Sequence, residues 1–389
     1  MKIAYICADR DVPVFEQKGC SIHVQEVIRS FQRQGAQVEL FAAQANGAPP
    51  SDLEAVPVHP LPTPPKHHEE TCEQALSINY DLRQALEQEG PFDLIYERYS
   101  LWSFAAMEYA QTLGVPGLLE VNAPFTQAQT YRQDWGGQAS AKRVAERVFR
   151  SASTLIAVSE SIKTSLEKYP GVKQQVHVIP NGVNLDRFPR NVGPFLFPNP
   201  GAFTVGFVGA LESQNGLPIL VEAFERLQKY SRDTRLLIVG DGPERANLVA
   251  DLSSRGLLEM AHFTGAVPAN EVPGWLASMD VAVAPYPEQP DFYASPLKVY
   301  EYMAAGLPIV ASQVGQLKTL INNGVNGLLC PPGDAVALAE ALERLRRFPE
   351  FGTRLGEIAR ESMRQNHSWD GIARRILYLA NRTAMVGCY

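Results

Sequence analysis

No stretch of this chain approaches the ~18 consecutive apolar residues that a membrane-spanning helix needs. The first apolar run, MKIAYICA, meets charge at Asp9 before a secretory leader could form, so it is expected to be a buried first strand. Cysteine is scarce, with Cys7, Cys20, Cys72, Cys330 and Cys388 scattered and no C-x-x-C pair among them. Such an odd set forms neither a disulfide framework nor a zinc site and fits a reducing compartment, so a cytoplasmic location is expected. Basic residues are outnumbered, 35 Lys and Arg against 42 Asp and Glu. A net charge of -7 denies the chain the basic footprint of a nucleic-acid binder. No G-x-G-x-x-G follows the first apolar run, which argues against a dinucleotide oxidoreductase. His67, His68, Glu69 and Glu70 are adjacent in a Pro-rich loop and lack the spacing of one metal site. Asp9-x-Asp11 only imitates a metal-binding acid pair, so neither a metal nor a cofactor is expected.

What the chain does have is a rhythm. Short apolar runs (KIAYICA, QVELFAA, DLIYER, PGLLEVN, STLIAVS, QVHVIPN) alternate with amphipathic helical stretches, and the alternation calls for a parallel sheet covered on both faces. The rhythm breaks in the proline-bearing FPRNVGPFLFPNPGA and restarts with FTVGFVG, RLLIVGDG, AHFTG, DVAVAPY, PIVAS and GLLC. At 389 residues two cores are the default. The expected fold is α/β: two Rossmann-like, doubly wound domains, 1–188 and 203–367, joined by a 189–202 linker and facing each other across a cleft. A helix over 368–383 is expected to pack back on the first domain, and 44–65 and 286–295 are read as Pro-rich loops.

The richest segment is DFYASPLKVYEYMAAGLPIVAS, residues 291–312. Ser295 suits an N-cap, Pro296 the first helical position, and Gly306 and Pro308 the helix end. The resulting N-terminus would offer N–H groups and a positive dipole end to phosphate. Lys298 in the first turn and Glu301 on the same face could hold a phosphate and a ribose diol. The competing reading is a surface Lys–Glu pair on an ordinary helix.

This segment resembles the signature region of glycosyltransferase family 4, retaining enzymes of the GT-B fold, in the branch written Ser-Pro-x-Lys-x-x-Glu-Tyr. The resemblance implies that Glu301 binds the donor ribose, and it sets Tyr293 where the family usually has a first glutamate near the donor sugar. It extends over the whole chain. GFVGALESQNG, 206–216, is similar to the loop carrying an Arg and a Lys on the donor diphosphate, but Ala210 and Asn215 stand there. Lys298 and the helix N-terminus behind Ser295, Pro296 and Leu297 are the expected substitutes. Gly209, Gly240, Gly242, the backbone at Gly265 and Val267, and Gly315 complete the implied donor site, with Lys318 replacing a frequent acid.

In the N-terminal half, Gly19 falls in the family's glycine-rich loop between donor phosphate and acceptor, which implies a donor-binding role for it; Lys18 precedes it, and Ser21 could cap the helix carrying His23. Asn122 stands where many relatives have a histidine and, with Lys298 and Glu301, is a candidate catalytic residue. Lys18, His23, Glu97, Arg98, Tyr99, Glu120 and Asn122 are the acceptor candidates, against helix packing for His23 and interdomain packing for 97–99. The resemblance implies a retaining, metal-independent hexosyltransferase that takes a UDP- or GDP-sugar. Its acceptor would belong to glycan, glycolipid or small-glycoside synthesis. A catalytically impaired nucleotide- or carbohydrate-binding relative, or a GT-B epimerase or phosphorylase, is the alternative. Lys142, Arg143, Arg147 and Arg150 form a stripe that could touch anionic lipid weakly or simply face solvent.

Overall fold

The computed structural model describes residues 1–62, 75–123, 138–196, 202–289 and 292–386. Cys72, Cys388 and the His67–Glu70 group considered above lie outside the described residues, while Cys7, Cys20 and Cys330 are free thiols. Two compact units are present: Met1–Asn181 with Tyr293–Ser295 and Trp369–Tyr389, and Gly182–Phe292 with Pro296–Ser368. The division falls between Asn181 and Gly182, ahead of the linker expected at 189–202. The described end of that linker is fastened to the second unit, where Phe195 N and Leu196 N donate to Ser278 Oγ at 3.0 and 3.1 Å.

The first unit carries seven parallel strands: β1 (Lys2–Cys7), β2 (Gln37–Ala42), β3 (Val58–Pro60), β4 (Leu94–Arg98), β5 (Gly117–Val121), β6 (Thr154–Ala157) and β7 (Val176–Val178). They are ordered β3-β2-β1-β4-β5-β6-β7. Between them run α1 (Gly19–Arg33), α2 (Ile78–Glu89), α3 (Ala105–Leu113), α4 (Gln138–Ser151) and α5 (Glu160–Leu166). The central strands are buried because helices cover both faces; all five residues of β5 are buried, Glu120 among them. Ile6, Phe41, Leu82, Ile95, Val148 and Phe149 belong to the core. One expectation is corrected: the Pro-rich 44–65 stretch contains β3, which among the described residues pairs with β2 alone. Proline is tolerated there because an edge strand leaves one side of its backbone unpaired.

The second unit repeats the plan with β8 (Phe203–Val208), β9 (Thr234–Val239), β10 (Ala261–Phe263), β11 (Val281–Ala284), β12 (Ile309–Ser312) and β13 (Leu328–Cys330), in the order β10-β9-β8-β11-β12-β13. Its helices are α6 (Leu217–Tyr230), α7 (Arg245–Ser254), α8 (Val272–Leu276), α9 (Leu297–Ala305), α10 (Leu317–Leu320), α11 (Ala335–Arg347) and α12 (Pro349–Asn366). Phe207, Phe224, Ile238, Val283, Val310 and Leu342 are in its core. The last helix, α13 (Trp369–Val386), belongs to the first unit and packs on α1, with Arg33 Nε 2.7 Å from Asp370 Oδ1. Among the described residues no helix is long and apolar enough to cross a membrane.

Candidate functional site

In each unit the first strand pairs with its second strand on one side and its fourth on the other, β1 between β2 and β4, β8 between β9 and β11. Open α/β sheets bind ligands outside the carboxyl ends of the strands at such a reversal. The second unit concentrates its glycines there. A Cβ on Gly209, which leaves β8 at φ +138°, would come 3.1 Å from both Cε and Nζ of Lys298. A Cβ on Gly240, at φ +136° after β9, would lie 2.1 Å from Gly209 O. Only glycine permits this approach of two loops. Gly240 N donates to Gly265 O at 2.9 Å, tying the third loop to the other two. Gly242 follows, against the backbone of Leu211, and Val267 lies half-buried beyond Gly265.

Helix α9 supplies the side chains. Its end is as expected: Gly306 N donates to Met303 O and Leu307 N to Tyr302 O, at 3.0 and 3.1 Å, closing a Schellman turn. Its start is not. Leu297 opens the helix with Pro296 as the extended residue before it, and no side chain caps it. Ser295 Oγ instead accepts from Asn181 N at 3.2 Å, and Ser295 O from Asn181 Nδ2 at 2.8 Å. Tyr293 is also placed differently: it packs against the core of the first unit and its carbonyl accepts from Ser159 Oγ at 2.7 Å. Tyr302 explains the last letter of the signature, since its buried hydroxyl accepts from Val208 N at 2.8 Å and donates to Val208 O at 3.2 Å, locking α9 to the end of β8.

Lys298 and Glu301 turn to different partners. Lys298 Nζ donates to Asn215 Oδ1 at 2.9 Å and sits 4.3 Å from the Phe207 ring centre and 5.5 Å from that of Tyr286. Asn215 Nδ2 in turn donates to Ala210 O at 2.8 Å. Of these two positions, Asn215 is bonded directly to Lys298 and Ala210 is joined to it through Asn215. Burial pushes the Lys298 ammonium down to about 7, with Glu212 opposing. Glu301 Oε1 lies 3.2 Å from Arg187 Nη1. The same guanidinium donates from Nη2 to Ala269 O at 2.9 Å. Gly315 is exposed at φ +42°, two residues before α10, and Lys318 is exposed on that helix.

The first unit assembles a second polar cluster, at the ends of β4 and β5. Glu120, 3% exposed, is its centre. Tyr96 donates to Glu120 Oε2, Asn122 Nδ2 donates to Oε1 at 2.5 Å, and His23 Nε2 is 3.1 Å from Oε1. Arg98 Nη1 stands 3.8 Å from Glu120 Oε1 and 2.9 Å from His23 Nδ1. A guanidinium only donates, so Nδ1 accepts and the ring proton is on Nε2, aimed at Glu120. His23 packs against Trp369, the rings tilted at 47° with their centres 5.1 Å apart. Burial first, and Arg98 second, push it down to about 4 against the pull of Glu120.

Three acceptor candidates lie apart from this cluster. Tyr99 is in the apolar core beside Phe149, 5.2 Å between ring centres. Glu97 is fully buried and accepts from Ser103. Lys18 is exposed and pairs with Glu16 at 3.2 Å, and Gly19 beside it opens α1. Ser21 is inside α1 and does not cap it; its hydroxyl donates to Pro13 O at 2.6 Å. Of the basic stripe, Arg147 is engaged by Glu108 and stacks 3.6 Å from the Phe104 ring centre. Among the described residues one metal-like grouping occurs, Glu39, His59 and Glu89 at the β3 edge, where Lys2 Nζ already sits 2.9 Å from Glu39.

Burial pushes the Glu97 carboxyl up to about 7, with the Ser103 hydrogen bond pulling the other way. The folded chain thus keeps a proton that the unfolded chain releases above ~4.3, so this group's contribution to stability falls as pH rises towards 7. Glu97→Gln removes that fall. Its stability relative to the parent should grow by up to roughly 3 kcal/mol between pH 4 and pH 8, read from urea midpoints. A flat difference across that range would mean that Glu97 is charged in the fold.

Residues 18–187 match the family described as Glycosyltransferase Family 4, and residues 202–347 the family described as Glycosyl transferases group 1. Both halves of the chain are glycosyltransferase domains. Among sequence relatives, a 2-deoxystreptamine glucosyltransferase of Streptomyces kanamyceticus is 31% identical over 51% of this chain, and the chain spans about half of that relative, 53%. A D-inositol 3-phosphate glycosyltransferase of Pseudarthrobacter chlorophenolicus is 27% identical over 91% of this chain and 88% of its own length. The fold is shared with Anabaena HepE, solved in complex with UDP-glucose, at a TM-score of 0.72 and 20% identity over 98% of this chain and 100% of that one. With the two parallel sheets, this likeness makes the glycosyltransferase a two-domain protein of the GT-B class.

Proposed function

We propose that this glycosyltransferase is a retaining, metal-independent hexosyltransferase that holds a UDP- or GDP-sugar on its second unit and delivers the sugar to an acceptor in glycan, glycolipid or small-glycoside synthesis. The observation that carries the reading is the Lys298–Asn215–Ala210 chain, which supports Lys298 as the substitute for the two cations that the family resemblance implies at 210 and 215. The binding of UDP-glucose by HepE supports a nucleotide-sugar donor. The work assigned to the protein is positioning and stabilisation of the departing diphosphate, with no dedicated carboxylate base. Lys298 and the α9 start take the phosphates, Glu301 the ribose hydroxyls, and the loop from Gly265 to Val267 the base. Asn122, oriented by Glu120, faces the acceptor. The alternative of a non-catalytic binder is separated by turnover: a nucleotide-sugar panel, with and without simple sugar acceptors, should show slow donor hydrolysis that persists in EDTA. Nucleotide binding with no turnover of any donor would favour the binder.

Glu301→Ala should weaken nucleoside-diphosphate binding by roughly 1.5–3 kcal/mol, the worth of charge-assisted hydrogen bonds to the ribose. Calorimetric titration checks this, and parental affinity would remove Glu301 from the site.

A further inference from the structure

Arg187 enters none of the motifs used above. It ends a short 3-10 turn, Leu185–Arg187, yet its guanidinium joins two segments far apart in sequence. Nη1 meets Glu301 Oε1 on α9 at 3.2 Å, and Nη2 meets the carbonyl of Ala269, in the loop after β10, at 2.9 Å. The side chain is only 20% exposed, and its charged end lies 5.3 Å from the Phe188 ring centre. A guanidinium is a planar fork with nitrogens at fixed angles, so two acceptors bound to it are fixed relative to each other.

We propose that Arg187 is a positioning residue for the donor nucleoside: it orients the Glu301 carboxylate towards the ribose hydroxyls and pins the neighbouring base loop in register with it. The inference rests on the donor reading above. Two physical consequences support it. A carboxylate has about four lone-pair directions, so the bond from Arg187 and bonds from a ribose diol can share the Glu301 carboxylate. A bare carboxylate would also repel a diphosphate bound close by, and the guanidinium cancels that charge. The pairing thus lets an acidic side chain read the sugar of a polyanion.

The test is discrimination between ribose and deoxyribose. The tightest binder of UDP, GDP and ADP is chosen by thermal shift. Its dissociation constant and that of its 2′-deoxy form are then measured for the parent, Glu301→Gln, Arg187→Ala and Arg187→Lys. The parent should prefer the ribo form by on the order of 10-fold, one charge-assisted hydrogen bond, and Glu301→Gln should lose most of that preference. Both Arg187 variants should fall below about threefold, because lysine keeps the charge but cannot span Glu301 and Ala269 together. General loosening of the fold would weaken both nucleotides alike and leave the ratio intact. A parental ratio in either folded Arg187 variant, with the ratio lost in Glu301→Gln, overturns the inference alone. A parental ratio in Glu301→Gln, or no binding of any nucleotide, overturns the donor reading beneath it. Should Arg187→Ala fail to fold, Arg187→Lys decides.

Discussion

Replacing Lys298 with alanine should lower kcat by ~10²–10³ while weakening nucleoside-diphosphate binding far less. Negative charge on the departing diphosphate grows towards the transition state, and the loop after β8 carries Ala210 and Asn215, neither of them a cation. Lys298 Nζ is held against Asn215 Oδ1 at 2.9 Å and over the Phe207 ring, with Gly209 leaving room for it. Lys298→Met keeps the apolar stem and should fall as far, since charge and not packing is lost. The pH profile adds a second readout. Burial depresses this ammonium to about 7 in the free protein. kcat/KM, which reports the free enzyme, should therefore drop as pH rises through about 7. A bound diphosphate raises the ammonium again, so kcat should hold to higher pH and donor binding above pH 7 should take up a proton. In the methionine variant that alkaline limb disappears. Stability of the unliganded protein runs the other way: the unfolded chain binds the extra proton between about 7 and the ordinary lysine value of 10.5, so stability rises with pH across that window. Near-parental turnover in both variants would move the compensating charge elsewhere, with Lys18 and Lys318 the remaining candidates.

Much of the fold was legible because parallel strands buried on both faces appear as short continuous apolar runs. Every such run named from the sequence is a strand, and Gly306 ends α9 as its conformational freedom requires. What escaped was non-local. Ser295 has the chemistry of an N-cap, but Asn181, distant in sequence, takes its hydroxyl. Arg187 lies in VIPNGVNLDRF, a segment that resembles the family's hinge and marks no site residue, and it acquires its meaning only from Glu301 and Ala269. The three-residue strand β3 hid among prolines because it is too short and too exposed to carry periodicity. Glu97 and Glu120 looked alike, each an acid near a strand end. In a sheet covered on both faces, alternation does not say which acid enters a polar cluster and which is enclosed with a single serine. Ala210 and Asn215, by contrast, stand where the resemblance implies cations, which made Lys298 the expected substitute, and its ammonium does bond Asn215.

Glu120→Ala should destabilise the glycosyltransferase by roughly 3–5 kcal/mol, the cost of removing one partner from a buried charged network. Four groups converge on this carboxylate. Tyr96 and Asn122 donate to it, His23 Nε2 lies at 3.1 Å, and Arg98 stands at 3.8 Å as the neighbouring cation. The alanine leaves the tyrosine hydroxyl without its acceptor in a fully buried setting and strands the guanidinium, 12% exposed, without a counter-charge. Glu120→Gln separates shape from charge. It fills the same volume, but its amide donors face groups that are themselves donors, so it should recover only part of the loss. Function should follow a different scale. Asn122 owes its orientation to Glu120, so the glutamine variant, assayed where it is fully folded, should show a raised acceptor KM with donor affinity unchanged. Urea unfolding at 25 °C reads the first effect and acceptor titration the second. A loss below about 1 kcal/mol for the alanine would show that Arg98 and His23 find other partners, and the cluster would then be packing around His23 and Trp369 and not a support for the acceptor side.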